Sequence, residues 1–381
     1  MPDVVVVGGG IIGAACAQAL ADAGASVTLI EREELAAGAS GRNQGWLVAP
    51  DDRANLPLFE PSLRRYRDAA GRAPLPIWID AEPVGHLLVG FPGDPEPTNA
   101  ADIRSLDHDE LLALEPALSP AAQRGWMDDG GLRLDPAALT IGLALLAADA
   151  EATIRHHLTV RAFDTVGDRV RGVVTDDGWI GADEVVLAAG PWSAALLDPL
   201  GVRLPIRPAR GWIVRVDPSG PLVRHLVERV GWRESDWRAG AAAAPSGRDF
   251  ADQGVTAVGG ALLNPHPDGS ILIGSSREPA IGPEPADPTV PRHQVADAID
   301  LVPALAEAEV RASWWGVRPL SPDDRPLIGR VRDGLVVATG HGSEGVILGG
   351  GTAELVAAIV GGTDPPFDAS AFDPLRFDGR S

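Results

Sequence analysis

The N-terminal segment contains a pattern that few folds accommodate. Residues 4–7 form a short β-branched run, which is typical of a buried parallel strand. A glycine-rich turn follows, and residues 11–23 repeat apolar side chains at four-residue spacing, which indicates a helix ending near Gly24. Residues 26–30 have the pattern of a second strand. The segment therefore predicts a βαβ unit.

The turn of this unit has the spacing Gly8-x-Gly10-x-x-Gly13. Gly8 permits a tight turn, Gly10 lets the backbone approach a pyrophosphate, and Gly13 lets the helix pack closely on the strand. The helix N-terminus offers amides and a positive dipole end to phosphates. Glu31 has the spacing of a carboxylate that binds ribose hydroxyls. A glycine triplet alone also occurs in ordinary turns, but with the strand, the helix and the acid it predicts a dinucleotide site. The motif does not choose between FAD and NAD.

The charge of the chain narrows its possible partners. Its formal net charge of -21 disfavours binding to nucleic acid and to an anionic membrane surface, since both require basic patches. All 32 basic residues are arginine, so no lysine can form a Schiff base or act as a general base. The composition therefore argues against nucleic-acid and membrane-surface partners and against lysine-based catalysis.

Cysteine content and hydropathy bear on the compartment. Cys16 is the single cysteine, which excludes an intrachain disulfide and a cysteine-based metal site, and no other metal-ligand cluster stands out. The first residues lack the basic start of a signal peptide, and no segment approaches about 18 uninterrupted strongly apolar residues. We therefore expect a cytoplasmic protein without a transmembrane helix.

The rest of the chain contains further helix and strand signals. Asp135-Pro136 has the pattern of an N-cap and first helical residue, which predicts a helix to about residue 150. Residues 203–280 predict a mostly antiparallel sheet, in which the glycine- and alanine-rich residues 238–252 indicate a flexible loop. The other predicted elements are a hairpin around residues 160–180, strands at residues 185–189, 311–315 and 335–338, and helices at residues 292–299 and 345–360.

Four blocks of the sequence resemble one family of flavoproteins. They are residues 5–31, residues 38–45 with Ala-Ser-Gly-Arg-Asn-Gln-Gly, residues 185–193 with Val-Val-Leu-Ala-Ala-Gly-Pro-Trp-Ser, and residues 316–345 with Gly-Val-Arg-Pro and Gly-His-Gly-Ser-Glu-Gly. Their order and spacing resemble the D-amino-acid oxidase family, which includes glycine oxidases, sarcosine oxidases and D-amino-acid dehydrogenases. The resemblance implies an FAD-dependent oxidoreductase.

The resemblance also implies an α/β fold in two parts. One is a Rossmann-type FAD-binding domain, and the other is an inserted antiparallel-sheet domain that binds the substrate, as in D-amino-acid oxidase and glycine oxidase. We assign residues 1–50, 136–202 and 316–381 to the discontinuous FAD-binding domain, and residues 51–135 and 203–315 to the substrate domain.

The cofactor-binding residues follow from the matching blocks. Residues 40–43 would line the pyrophosphate and the flavin ring, and Val160 would meet the adenine through its backbone. Ala189 and Gly190 would pack against the cofactor, and the turn at residues 340–345 would lie at the flavin pyrimidine edge. A helix start at that edge stabilises the negative charge of a reduced flavin, although such a turn can also be an ordinary strand-to-helix connection. The predicted set is Gly8, Gly10, Ile12, Gly13, Glu31, Arg32, Ser40, Gly41, Arg42, Asn43, Gln44, Gly45, Val160, Ala189, Gly190, Trp192, Gly340, Gly342, Ser343, Glu344, Gly345 and Val346.

Two residues are candidates for the catalytic centre. Arg318 matches the arginine that binds the substrate carboxylate in glycine oxidases, and a guanidinium does this as a planar bidentate donor. The alternative is a structural arginine. His341 is expected to contact the edge of the flavin rather than act as a general base.

The chain departs from the glycine oxidase pattern at two positions. A second arginine of the glycine turn is replaced by Ser343, and a carboxylate-binding tyrosine by Leu262. Carboxylate recognition is then incomplete or rebuilt from other groups. Four tryptophans are expected near the site, and one or two of them would suit a bulky amine: Trp46, Trp232, Trp314 and Trp315.

The resemblance implies the chemistry. The enzyme would oxidise the C–N bond of an amino acid or N-alkyl amino acid by hydride transfer to flavin N5, giving an imine that hydrolyses. The alternatives are oxidation of a 2-hydroxy acid or alcohol on the same fold, and a flavin-binding accessory subunit. The electron acceptor is O2 or a quinone-type molecule. The lysine that promotes the reaction with oxygen in sarcosine oxidases is absent, and we place oxidase slightly ahead of dehydrogenase.

We predict that the FAD is bound noncovalently, because Cys16 lies within the predicted Rossmann helix, out of reach of the flavin ring. Acid precipitation of the yellow protein should release all of its flavin into the supernatant. Yellow colour that stays with the pellet would instead indicate a covalent bond.

Overall fold

The computed structural model describes residues 2–50, 52–97, 103–230, 258–279 and 286–377. The predicted loop at residues 238–252 and Trp232 lie outside these ranges. The helices are α1 (Ile11–Asp22), α2 (Leu56–Arg72), α3 (His108–Leu114), α4 (Pro136–Asp149), α5 (Ser193–Leu197), α6 (Val290–Leu301) and α7 (Gly345–Gly361). The strands are β1 (Asp3–Val7), β2 (Ser26–Ile30), β3 (Trp46–Leu47), β4 (His86–Gly90), β5 (Arg104–Leu106), β6 (Arg124–Asp128), β7 (Leu132–Arg133), β8 (Thr153–Arg155), β9 (Val160–Val166), β10 (Arg169–Thr175), β11 (Gly178–Gly181), β12 (Glu184–Leu187), β13 (Arg207–Asp217), β14 (Leu226–Arg229), β15 (Val258–Pro265), β16 (Ile271–Pro279), β17 (Glu309–Leu320), β18 (Leu327–Arg332) and β19 (Leu335–Thr339).

The first sheet contains the predicted βαβ unit. Its strand order is β18-β19-β12-β1-β2-β8, and all neighbours are parallel except β18 and β19. Val4 and Val6 pack on the side of α1, whereas Val5 and Val7 pack on the side of the three-stranded β9–β11 sheet. Since successive residues of a strand face opposite sides, the run of valines is buried on both faces. The predicted Rossmann-type unit is confirmed.

The second sheet is large and mostly antiparallel. Its order is β17-β13-β16-β15-β14-β4-β6-β5, and only β14 and β4 run parallel. Strands from residues 51–135 and from residues 203–315 thus join one sheet. The α/β fold class with parallel and antiparallel sheets is confirmed, and the exact domain bounds stay a prediction.

One predicted strand is longer in the structure. The sequence predicts a strand at residues 311–315, whereas β17 runs from Glu309 to Leu320, and Arg318 pairs with Ala209 inside the sheet. Pro319 is tolerated there because β17 lies at the edge of the sheet, where a missing N–H breaks few hydrogen bonds.

Helix termini follow the local sequence. The Asp135 carboxylate accepts hydrogen bonds from the amides of Ala137 and Ala138, at 3.0 and 2.9 Å, so the predicted N-cap of α4 is confirmed. Gly24 follows α1 with a φ of +85°, which a glycine adopts without strain. Among the described residues, no helix has the length and apolar character needed to cross a membrane.

Helices α2 and α7 approach each other closely through glycines. The amide of Gly351 donates to the Ser62 hydroxyl at 2.9 Å, and that of Gly350 donates to the Tyr66 hydroxyl at 3.2 Å. A Cβ on Gly351 would lie 2.5 Å from the Cα of Leu58, and a Cβ on Gly350 would lie 2.5 Å from the Cα of Ser62. The glycines therefore set the separation of the two helices.

We predict that Gly351→Ala destabilises the protein by about 1–3 kcal/mol, because backbone rather than a flexible side chain must move. Gly361→Ala, on the same helix, is the matched control, since nothing lies within 4 Å of its Cβ position. That control should be neutral or stabilising by up to about 1 kcal/mol. Denaturant unfolding measures both, and equal stabilities would contradict the packing role.

Candidate active site

A cavity of about 590 Å³ lies between the carboxyl edge of the first sheet and one face of the second. The residues that follow β1, β2 and β12 line one end of it. The segment at residues 37–50, the start of α7 and the strands β13, β15, β16 and β17 complete the lining. In parallel sheets, ligands bind beyond the carboxyl ends of the strands, so this position matches the predicted dinucleotide site.

The glycine turn has the geometry that a dinucleotide requires. Gly8 has a φ of +112°, and a Cβ on it would lie 2.5 Å from the carbonyl oxygen of Ala188. A Cβ on Gly13 would overlap the carbonyl oxygen of Gly8. At Gly10 a Cβ would lie 2.9 Å from the Ser40 hydroxyl, which accepts a hydrogen bond from the amide of Ile11 at 2.9 Å. Only glycines fit this crossing of backbones, and the start of α1 faces the cavity.

Glu31 is held at the edge of the cavity by backbone amides. Its Oε2 accepts from the amide of Gly9 at 2.7 Å and its Oε1 from the amide of Glu33 at 2.9 Å. The neighbouring guanidinium of Arg32 lies 3.8 Å from the ring centroid of Trp192. The carboxylate therefore stands where the second strand ends, as the motif predicts, with its orientation fixed.

The 39–45 segment connects the two sheets. The Arg42 Nε donates to the carbonyl of Ala37 at 2.8 Å, and its Nη1 donates to the carbonyl of Trp315 at 3.3 Å. The buried Gln44 donates its side-chain amide to the carbonyls of Leu262 and Leu272, at 3.1 and 2.9 Å. These bonds fix the segment against both β15 and β16 and against β17.

The start of α7 closes the cavity on another side. Gly340 and Gly342 have φ values of +76° and +55°, and the amide of Gly342 donates to the carbonyl of Pro319 at 2.9 Å. Residues 342–346 line the cavity, so the amide end of the helix dipole faces it. The turn thus directs the positive end of the helix dipole toward the cavity, beside the second sheet.

His341 is buried behind this turn and is neutral. The Thr352 hydroxyl donates to the carbonyl of Leu348 at 2.9 Å, so its oxygen is left to accept from His341 Nε2, also at 2.9 Å. Burial lowers the pKa of His341 from 6.5 to about 3, because the charged form loses its hydration. A ring that does not take up a proton near neutral pH agrees with a contact role rather than with a general base.

Arg318 lies across the second sheet. Its Nη1 donates to the carbonyl of Ser276 at 2.9 Å and its Nη2 to the hydroxyl of Ser275 at 2.7 Å, so it reaches from β17 over β13 to β16. The guanidinium occupies the space that a side chain at Gly211 would fill. The side chain of Arg318 also lines the cavity. Its two hydrogen bonds to β16 therefore set the direction of the guanidinium before any ligand binds.

The cavity brings together most of the predicted residues. Arg318 and His341 line it, as do Gly8, Gly10, Ile12, Glu31, Arg32, Ser40, Arg42, Asn43, Gln44, Val160, Ala189, Gly190, Trp192, Gly342, Ser343, Glu344, Gly345 and Val346. Four predicted residues are absent from the lining: Gly13, Gly41, Gly45 and Gly340. Gly45 and Gly340 have positive φ values, and a Cβ on Gly41 would overlap the carbonyl oxygen of Ala36, so these glycines serve the backbone.

The cavity lining includes some residues that the sequence predicted and some that it missed. Of the four tryptophans, Trp46 and Trp315 line the cavity. Leu262 lines it too, as expected for the position where a tyrosine is absent. The sequence analysis missed Ser275 and Arg277 on β16, which also line it. The period of two along β16 pairs these side chains on one face, but it does not show which face meets a ligand.

Comparison with known proteins places the chain in a family. The sequence profile of DAO, described as FAD dependent oxidoreductase, matches residues 3–359. The chain belongs to the DAO family of FAD-dependent oxidoreductases. The glycine turn, the amide-bound Glu31 and the start of α7 all line this cavity and fit the groups that an FAD presents. The predictions of the family, of an FAD-dependent oxidoreductase and of FAD as cofactor are confirmed.

Individual proteins that the chain is similar to agree with this assignment. Glycine oxidase from Pseudomonas aeruginosa is 32% identical, covering 97% of this chain and 98% of the relative. A crystal structure of glycine oxidase from Geobacillus kaustophilus matches with a TM-score of 0.82 and 25% identity, covering 99% of each chain. D-amino acid dehydrogenase from Cereibacter sphaeroides is 31% identical over 71% of this chain and 57% of the relative.

We predict a pH dependence of stability that arises from His341. Because its folded pKa is depressed, the unfolded chain binds a proton that the folded protein excludes as the pH falls below 6.5. The contribution of His341 is thus present above that pH and is lost progressively as the pH falls toward 3. Between about pH 7 and about pH 5, the wild type should lose about 2 kcal/mol more stability than His341→Gln. Denaturant unfolding at both pH values measures this difference, and parallel losses would contradict the buried neutral ring.

Proposed function

We propose that this DAO-family enzyme oxidises the C–N bond of an amino acid or N-alkyl amino acid. The observation that carries the proposal is the position of Arg318, which lines the cavity and is oriented by Ser275 and Ser276. The substrate's carboxylate would bind this guanidinium through charge-assisted hydrogen bonds. Bound FAD supplies the acceptor for a hydride.

The role of the protein is to position the substrate. Nη1 and Nη2 of Arg318 donate to Ser276 and Ser275, and these bonds orient the planar guanidinium that would bind the carboxylate. Fixing the acid group at the sheet restricts the α-carbon to a small region beside the cofactor end of the cavity, which lowers the entropic part of the barrier. Trp315 and Leu262 line the same cavity and contribute apolar surface to it.

We also propose roles for the cofactor-binding set. Glu31 would hold the ribose, the amides at the start of α1 and Ser40 would hold the pyrophosphate, and the start of α7 would face the flavin pyrimidine edge. Each group is supported by its place in the cavity lining and by its own hydrogen bonds. His341 would contact the flavin edge in its neutral form.

Known relatives support amine chemistry over the alternatives. Glycine oxidases match the chain over nearly its full length, and D-amino acid dehydrogenases match it over 71%. Among the lining residues that the structure describes, none favours a 2-hydroxy acid or alcohol as substrate, or an accessory role. The test is anaerobic mixing of the FAD-loaded protein with amino acids, N-alkyl amino acids and 2-hydroxy acids. Bleaching of the flavin absorbance by amines alone supports the proposal, and bleaching by hydroxy acids alone would overturn it.

We predict that Arg318→Ala lowers the second-order rate constant for flavin reduction by the substrate by about tenfold to a hundredfold, while FAD stays bound. The variant loses a charge-assisted contact of about 1.5–3 kcal/mol. Arg311→Ala is the control, because Arg311 lies on the same strand, with its side chain 51% exposed and paired with Asp217 and Glu309. Unchanged kinetics with a carboxylate-bearing substrate would reassign Arg318 to a structural role.

We propose that the protein is located in the cytoplasm.

We also propose that O2 is the electron acceptor. The chain has no lysine to promote the reaction of reduced flavin with oxygen, and a quinone-type acceptor is therefore the alternative. We predict that substrate-reduced enzyme reoxidises in air within the turnover time, with one hydrogen peroxide formed per substrate. Reoxidation that takes many minutes, together with fast turnover on a dye, would show a dehydrogenase.

A further inference from the structure

The second sheet forms one wall of the cavity, which we call the substrate wall, and Ser275 of β16 lies in it beside Arg318. Ser275 is 6% exposed, so it is buried although it lines the cavity. Its hydroxyl oxygen accepts a hydrogen bond from Nη2 of Arg318 at 2.7 Å. Because the oxygen is the acceptor in this bond, the proton of the hydroxyl points elsewhere.

The proton of the Ser275 hydroxyl is held weakly by the protein. A hydroxyl that accepts a hydrogen bond still has its own proton to donate, and it rotates to suit an acceptor. Within the described part of the chain, that acceptor is the carbonyl of Ser276, 3.5 Å away. This distance is long, since O–H···O bonds are usually about 2.5–3.0 Å. The same carbonyl already accepts from Nη1 of Arg318 at 2.9 Å. The proton of Ser275 can therefore turn to an acceptor in the cavity.

The neighbouring serine has a different role. Ser276 is fully buried, is absent from the cavity lining, and accepts with its hydroxyl oxygen from the amide of Trp212 at 2.9 Å. Arg318 contacts Ser276 through the main-chain carbonyl and Ser275 through the side chain. Of these two serines, Ser275 is thus the one that can offer its hydroxyl to a ligand.

The contact with Arg318 makes the Ser275 hydroxyl a stronger donor. A hydroxyl that accepts from a cation is polarised, and successive hydrogen bonds strengthen one another. The effect is larger in a buried site than in water, because the effective dielectric constant is lower there. The hydroxyl oxygen and Nη2 lie 2.7 Å apart. Whichever N–H of the guanidinium meets a carboxylate, the hydroxyl beside it is within reach of the same group.

We propose that Ser275 donates a hydrogen bond to the carboxylate of the substrate and is thus a substrate-binding residue. This inference rests on the proposed amine oxidation, in which Arg318 binds that carboxylate. Ser275 follows Gly274, which pairs directly with Leu262 of β15. The hydroxyl therefore lies one strand away from the position where the tyrosine of the glycine oxidase pattern is absent. The donor that Leu262 lacks is supplied from β16.

The test measures the binding of a simple carboxylate. The FAD-loaded protein is titrated with acetate, and the change in the visible flavin spectrum gives the dissociation constant. Ser275→Ala should weaken acetate binding about tenfold, because a hydrogen bond to a charged group is lost. Ser275→Thr keeps a hydroxyl at this position and should recover most of the affinity. Ser313→Ala removes an exposed hydroxyl from β17 of the same sheet and should leave the dissociation constant unchanged.

A second measurement separates direct contact from a role through Arg318. A crystal structure of the FAD-loaded wild type with acetate should place one acetate oxygen about 3 Å from the Ser275 hydroxyl oxygen. Acetate that contacts Arg318 but lies beyond hydrogen-bond distance of Ser275 would reduce the serine to a positioning residue and overturn the inference. Equal acetate binding by the wild type and Ser275→Ala overturns it as well.

Flavin bleaching by amines distinguishes failure of this inference from failure of the proposed function. If amino acids bleach the flavin but Ser275→Ala binds acetate as the wild type does, amine oxidation holds and the serine contact fails. If no amine bleaches the flavin but acetate binding depends on Ser275, the carboxylate site holds and amine oxidation fails. Absence of acetate binding by the wild type also overturns the inference, and bleaching alone then decides whether the enzyme oxidises amines.

Discussion

The close approach of three backbone segments at the carboxyl edge of the first sheet is the constraint on which the site depends. Gly8 lies against the carbonyl of Ala188, and Gly13 packs on Gly8, so β1, β12 and the start of α1 meet without side chains between them. Glu31 ties the same region to the end of β2 through the amide of Gly9. Any side chain at these glycines would separate the elements, and the amide end of α1 would no longer face the cavity.

A second set of interactions sets the distance between the cofactor end and the substrate wall. Arg42 and Gln44 belong to the segment that follows the first βα unit, yet they donate to carbonyls of β15, β16 and β17. Gln44 is buried, so breaking its two bonds would leave polar groups unsatisfied and cost stability. The two sheets are therefore held in one relative position, and Arg318 and Arg277 point into a cavity whose other end is formed by the glycine turn.

Much of the fold was predictable because its signals are local. The valine run, the glycine spacing and the Asp135-Pro136 cap each lie within a few residues, and the structure agrees with them at β1, α1 and α4. The extent of β17 was not predictable in the same way. The sequence predicts a strand at residues 311–315, and only pairing with β13 shows that it continues to Leu320. Edge strands tolerate residues such as Pro319, and edge position is a property of the sheet rather than of the segment.

The sequence by itself determined the dinucleotide turn, the acid that follows the second strand and the family, and it singled out the arginine that lines the cavity, since each is a short motif whose chemistry depends on neighbours in the chain. The tertiary structure decided what long-range contacts control. It buried His341 beside Thr352, which depresses its pKa and keeps the ring neutral. It also placed Arg277 on the wall that holds Arg318, although the two residues lie on different strands. Packing between distant segments determines which residues are buried and which face of a strand lines the cavity, and no local sequence pattern encodes either.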